Sequence, residues 1–164
     1  MKIVAVRGIK KSGKTTTASH IIRELSDRGY AVGAIKHIHH PGFSMDDHPG
    51  TDTVVHMAAG AVGVTARASH ETSLIFPKKL TLAQILSVYA DMADWVVIEG
   101  GEDVNAPTVL TAWGLDDVAT KWSDQVICLS GKIAAGLDSY QGLPAYDATT
   151  HVKGLVDYLE QQIT

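Results

Sequence analysis

Residues 2–25 run "KIVAVRGIKKSGKTTTASHIIREL", and Gly8 to Thr15 within them read G-x-x-x-x-G-K-T. No other feature restricts the fold as tightly. An apolar β-branched run, a glycine-bracketed turn and a helical apolar pattern follow one another without a spare residue. That order describes a strand feeding a phosphate loop and then a helix. Residues 2–7 fit a buried strand. Residues 14–28 fit a helix with Ala18, Ile21, Ile22 and Leu25 on one face, ending near Gly29. The glycines let backbone approach a phosphate, and the helix N-terminus adds free N–H groups and the positive end of its dipole. In this frame Gly13 leaves room for the phosphate and Lys14 reaches the β- and γ-phosphates. Thr15 offers its hydroxyl to Mg²⁺, a hard ion that takes oxygen ligands, and Thr16 serves the α-phosphate.

The rest of the chain repeats the alternation. Strand patterns at 31–36, "AVGVTAR", "TSLIF", "DWVVIEGG", "TVLTAW" and "QVICLS" are interleaved with helical patterns at 52–59, 81–92 and 149–162. Strands that are apolar throughout imply an α/β fold of the three-layer phosphate-loop type, a mainly parallel sheet with helices on both faces. With 164 residues, a single nucleotide-binding domain over 1–164 is expected. Ligands of such sheets bind beyond the carboxyl ends of the strands.

Phosphoryl chemistry needs an acid at the end of a neighbouring strand, and Glu99, after Val96, Val97 and Ile98, supplies it. Asp94 opens the same strand and falls at its far end, where it can only cap. The segment "IKHIHHPGFSMDDHPGTD" is long and polar, which in a compact domain points to function. Its Lys36 and histidines suit anions, and Asp46 or Asp47 suits Mg²⁺. The histidine spacing matches no closed zinc site.

Composition removes other classes. The net charge is -4 with no basic block, which argues against nucleic acid. No apolar run reaches membrane-spanning length. One cysteine, Cys128, fits a reducing cytosol, so a cytoplasmic protein is expected.

Three blocks together, "GIKKSGKTTT", "IKHIHH" with "DDHPGTDTVVHMAAGA" behind it, and "DWVVIEGG", resemble the MobB family of molybdopterin-guanine dinucleotide biosynthesis adapter proteins. The second block carries most of the specificity. The resemblance implies a GTP-binding protein with weak, Mg²⁺-dependent GTPase activity. Such a protein is a homodimer that assists the molybdopterin guanylyltransferase, with molybdopterin itself a possible ligand. It also implies that Gly8, Lys11, Ser12, Gly13, Lys14, Thr15, Thr16 and His37 hold the nucleotide. Thr15, Asp46 and Glu99 would hold the metal, Glu99 and Asp46 would act in catalysis, and His39, His40 and Asp52 would stand nearby.

Two departures stand out. Glu102-Asp103 follows "VIEGG" where the family has a bulky or basic continuation, and Ile9 stands where related ATPases carry a lysine that reaches across a dimer. No N-K-x-D guanine motif is present; "TKWSD" (Thr120 to Asp124) has one residue too many. A small-molecule kinase using ATP, which needs lid arginines, remains an alternative, as does a binding module without turnover. Trp95, Trp113 and Trp122 are expected in the core or at a subunit contact. "AVGVTARASHETSLIFP" is expected to form a hairpin with an edge open to strand pairing.

Overall fold

The computed structural model describes residues 1–40 and 51–164. Asp46, Asp47 and His48, assigned above to the polar segment, lie outside the described residues. The chain divides into two compact units, Met1–Ile38 with Val88–Thr164, and His39–Ser87.

The first unit holds a five-stranded parallel sheet. Its strands are β1 (Lys2–Gly8), β2 (Val32–Lys36), β5 (Trp95–Glu99), β6 (Thr108–Thr111) and β7 (Val126–Ser130), in the order β2-β5-β1-β6-β7. Side chains alternate between the two faces of the sheet. Val4, Val6, Trp95, Val97, Val109 and Cys128 are buried with Ala18, Ile21 and Leu25 of α1 (Lys14–Asp27) and Leu155, Val156 and Leu159 of α5 (Val152–Gln162). Leu110, Ala112 and Leu129 are buried with Val118 of α4 (Leu115–Lys121). Two covered faces explain why β1, β5 and β6 each bury four residues in a row. At about 25 cal/mol per Å² of apolar surface, such burial is the dominant stabilising contribution. Burial also pushes the Cys128 thiol up to about 12, so it stays protonated and behaves as a small apolar residue.

Beyond β7 the chain makes a 3-10 turn at Gly131–Ala135 and a small hairpin, β8 (Ser139–Tyr140) with β9 (Leu143–Pro144). It then returns alongside β7. The Tyr146 N–H donates to the Leu129 carbonyl at 3.0 Å, and Ala145 bridges Leu129 in parallel. Residues 145–147 thereby extend the row of strand ends past β7. Asp117 caps the start of α4, its Oδ2 accepting the Trp113 and Gly114 N–H groups at 2.9 and 3.3 Å.

The second unit contains α2 (Asp52–Ala58) and the antiparallel hairpin of β3 (Val64–Arg67) with β4 (Thr72–Ile75). The hairpin expected from "AVGVTAR" and "TSLIF" is therefore present. α3 (Leu82–Tyr89) begins in this unit and ends in the first.

The elements differ from the sequence reading at two helices and in three short elements. The helix expected over 149–162 begins only at Val152. The helix expected over 81–92 stops at Tyr89, where the Met92 and Ala93 N–H groups both donate to the Tyr89 carbonyl. α4, β8 and β9 were not anticipated, because each is short and weakly periodic. Of the three tryptophans only Trp95 is in the core. Trp113 is 53% and Trp122 38% exposed, the latter edge-on to Tyr140.

Candidate functional site

The loop from Gly8 to Gly13 leaves the carboxyl end of β1 and is shaped by contacts far away in sequence. Ser12 is fully buried. Its hydroxyl lies 2.6 Å from the Thr111 hydroxyl at the end of β6 and 2.9 Å from the Ile9 carbonyl. Gly131, just past β7, sits against the loop. A Cβ on Gly13 would lie 3.2 Å from the Gly131 Cα, and one on Gly131 would run into the Ser12 carbonyl oxygen. Both glycines have positive φ, 109° and 80°. Lys11 adopts φ 65° without being glycine, a strained conformation of the kind that collects at binding loops.

Lys14 opens α1 and folds back over the loop, its Nζ donating to the Gly8 and Ile9 carbonyls at 3.0 and 2.5 Å. Burial lowers its ammonium pKa, and the Glu99 carboxylate opposes that shift. The Thr15 hydroxyl donates to Glu99 Oε1 at 2.7 Å, and Lys36 Nζ, at the end of β2, donates to the same oxygen at 2.8 Å. Burial tends to raise the Glu99 pKa. The hydrogen bonds from Lys36 and Thr15, with the charges of Lys36 and Lys14, outweigh it and hold the carboxyl below its ordinary range. Glu99 is therefore ionised at neutral pH.

The turn after β5 is pinned from both sides. The His37 N–H donates to the Glu99 carbonyl at 2.9 Å and the Gly100 N–H to the Val6 carbonyl at 2.9 Å. The His37 ring packs over Gly101, where a Cβ would lie 3.1 Å from Nε2, and its Nδ1 is 4.0 Å from Asp103. Glu102 pairs with Lys121 of α4 at 3.2 Å, which offsets part of the negative charge introduced by the acidic pair. Arg7 is buried beneath this turn and donates to the Val104 carbonyl, while its Nε lacks a partner among the described residues. At the opposite end of the sheet, Asp94 Oδ2 accepts the Ala31 N–H at 2.8 Å, a capping role only.

Strand ends thus gather Lys11, Gly13, Lys14, Thr15, Thr16 and Glu99 around one open cavity of about 380 Å³, with Lys10 and Lys132 also on its wall. Thr15 and Glu99 present two adjacent oxygens, the hard donors that Mg²⁺ takes. Asp46 lies outside the described residues. His39, His40 and Asp52 belong to the second unit. Among the described residues no three His, Cys, Asp or Glu side chains are grouped as a metal site. No helix among them is long and apolar enough to cross a membrane.

Sequence reasoning missed the second wall of the loop: Thr111, Gly131 and Lys132. A signal existed. "QVICLS" is followed at once by Gly-Lys, the same strand-then-glycine arrangement as "VVIEGG".

Comparisons with known proteins agree with this architecture. The model of the MobB family, described as molybdopterin guanine dinucleotide synthesis protein B, matches residues 3–112. A probable molybdopterin-guanine dinucleotide biosynthesis adapter protein of Bacillus subtilis is 28% identical over 162 residues, 98% of this chain and 92% of that protein. A putative adapter protein of the same description from Methanocaldococcus jannaschii is 36% identical over 116 residues, 67% of this chain and 47% of that protein. The crystal structure of Bacillus subtilis MobB superimposes with a TM-score of 0.79 at 25% identity, covering 100% of this chain and 99% of that one. A MobB homologue from Bacillus stearothermophilus gives 0.71 at 20% identity over 98% and 96% of the two chains, a likeness of fold alone.

Proposed function

The chain belongs to the MobB family, molybdopterin guanine dinucleotide synthesis protein B, and from that membership we propose that it is a GTP-binding adapter with weak Mg²⁺-dependent GTPase activity. Its role is to assist the guanylyltransferase that joins GMP to molybdopterin. The observation that carries this reading is the meeting of Lys14, Thr15, Lys36 and Glu99 at the carboxyl ends of β1, β2 and β5.

The chemistry of that cluster is phosphate binding. The Gly8–Gly13 backbone and the α1 N-terminus supply N–H groups to the phosphates. Lys14 exchanges its two carbonyl acceptors for β- and γ-phosphate oxygens, a stronger charge-assisted pairing. Thr15 and Glu99 hold Mg²⁺, which neutralises charge on the β- and γ-phosphates when bound. Lys36 competes for the Glu99 oxygen and is the cation displaced toward the phosphates. A carboxylate whose pKa is lowered is a weaker proton acceptor, which fits slow hydrolysis.

A kinase lid finds less support. Arg7 is buried on Val104, and Arg28 is committed to Glu24, Asp157 and Glu160. The homodimer belongs to the same proposal, supported by Leu74 and Phe76, apolar and exposed on and beside β4.

The test is calorimetric titration of GTP and ATP, each with Mg²⁺, into the wild type and Lys14→Ala. We expect GTP binding that Lys14→Ala removes. It should be accompanied by faster GMP transfer to molybdopterin when the wild-type protein is added to the guanylyltransferase. ATP binding equal to GTP binding would sink the guanine assignment. Light scattering at increasing protein concentration tests the dimer, and a mass of one chain throughout would rule it out.

A further inference from the structure

The phosphate cavity does not end at the loop. A second cavity of about 270 Å³ opens on the other side of Gly13, with Lys132, Ala135, Asp147 and Thr149 among its lining residues. The two share Gly13, Thr16 and Lys132. Whole ligands occupy roughly 300–1,000 Å³, so the smaller space suits one part of a molecule whose remainder lies next door.

Direction follows from sheet order. Lys36 and Glu99, at the ends of β2 and β5, lie on one side of β1, while β6, β7 and the added 145–147 segment lie on the other. If the terminal phosphate faces Lys14, Thr15 and Glu99, the chain of phosphates crosses Thr16. The nucleoside then emerges past Gly131, which lines the second cavity.

Of the cavity's polar lining residues, Thr16, Thr17, Lys132, Asp147 and Thr149, Asp147 alone carries a carboxylate. Asp147 Oδ1 accepts the Thr149 N–H at 2.9 Å and the Thr149 hydroxyl at 2.7 Å, which fixes the carboxylate on the cavity wall. These Thr149 bonds, with a smaller pull from Thr150, hold its carboxyl below the ordinary range, so it is an acceptor only. The stem of Lys132, whose Nζ lies 5.2 Å from the Trp113 ring centroid, and the methyl of Ala135 supply apolar wall.

We propose that this cavity is the nucleobase subsite and that Asp147 selects guanine. The inference rests on the GTP reading above. Guanine turns two donors, N1–H and the 2-amino group, toward a carboxylate. Adenine places the N1 lone pair there, which an ionised acceptor repels. Guanine is thereby read without an N-K-x-D motif, by the segment at the start of "DATT" and not by "TKWSD".

The experiment titrates GTP, ATP, xanthosine triphosphate and inorganic tripolyphosphate, each with Mg²⁺, into the wild type, Asp147→Asn and Ala135→Phe. An asparagine keeps an oxygen for Thr149 and presents an N–H₂ that matches the xanthine 2-oxo group. We expect Asp147→Asn to weaken GTP at least ~10-fold, the scale of a hydrogen bond to a charged group. It should strengthen xanthosine triphosphate and leave tripolyphosphate unchanged. Ala135→Phe, which fills the cavity from an exposed wall, should weaken GTP and spare tripolyphosphate. Asp147→Asn binding GTP as the wild type does, or losing GTP and tripolyphosphate alike, would overturn the subsite. So would a wild type that binds tripolyphosphate as tightly as GTP, though the phosphate site would stand. A wild type that binds neither removes both readings.

Discussion

The sheet unit and the 39–87 unit are both built from short strands rich in Val, Leu, Ile and Thr, yet they bury them very differently. β1, β5 and β6 each carry four consecutive buried residues. In β3 and β4 no residue is fully buried, and none of the described residues of 39–87 is. Leu110 of β6 is 0% exposed, whereas Leu74 of β4 is 47% exposed. Residue type does not account for the contrast. A parallel strand lies between neighbours and under helices on both faces, while a two-stranded hairpin has one neighbour per strand. Every residue assigned to the phosphate loop stands in the unit where burial is complete. The loop is tied to that core by β1 before it, α1 after it and the buried Ser12 within it, while Lys10, Lys11, Thr15 and Thr16 are themselves exposed.

The sharpest way to break this comparison is to cut matched leucines. Leu110→Ala should cost about 2–5 kcal/mol in urea denaturation, the range for a fully buried leucine. Measured at concentrations dilute enough to keep the chain monomeric, Leu74→Ala should stay within about 0.5 kcal/mol, as surface substitutions do. Equal costs would mean that 39–87 is packed as tightly as the sheet. A smaller contrast uses two glycines of positive φ. Gly131→Ala drives a Cβ into the Ser12 carbonyl and should cost more than ~2 kcal/mol, with loss of GTP binding. Gly60, at φ 105° after α2, has nothing within 4 Å of an added Cβ, so Gly60→Ala should cost only about 1 kcal/mol of backbone strain.

The smallest effect is electrostatic and confined to the sheet unit. Glu99 has a lowered carboxyl pKa in the folded chain. The stability it adds is fully present above its unfolded value, about 4.3, and is lost as pH falls from there through the lower folded value. Glu99→Gln should therefore flatten the acid side of the stability curve below about pH 4.3 and leave its slope near neutrality unchanged. Urea midpoints measured across that range in the wild type and the variant check it. An unchanged acid slope would mean that Lys36 and Thr15 do not favour the ionised form.

Legibility in the sequence followed the same division. β1, α1, β5 and α5 were readable because their patterns are long and their ends are marked, by Gly8 for β1, Gly29 for α1 and Gly100 for β5. The phosphate loop and its acid followed from them. What stayed hidden was what the fold assembles from distant, weakly patterned pieces. α4 has seven residues and a single fully buried one, Val118. The strand-like return at 145–147 rests on one bridge and one hydrogen bond to Leu129, a hydrogen bond from the Ser130 hydroxyl to the Tyr146 carbonyl, and one from the Ala145 N–H to the Asp138 carbonyl. Nothing in the local sequence singles out Asp147 or Lys132, and only the fold brings them beside the loop. Aromatic content did not separate Trp95, which is buried in the core, from Trp113 and Trp122, which are exposed.

The clasp between Ser12 and Thr111 has a consequence for the order of events during synthesis. The eight residues of the phosphate motif are contiguous, but their shape depends on partners 99 positions downstream and, through Gly131, further still. A chain emerging from the ribosome displays the motif long before it can display the loop. Long-range closures of this kind come late in folding. On the proposed reading, nucleotide capture would be withheld from the growing chain until β6 and β7 have joined the sheet, and binding would report that the sheet is complete.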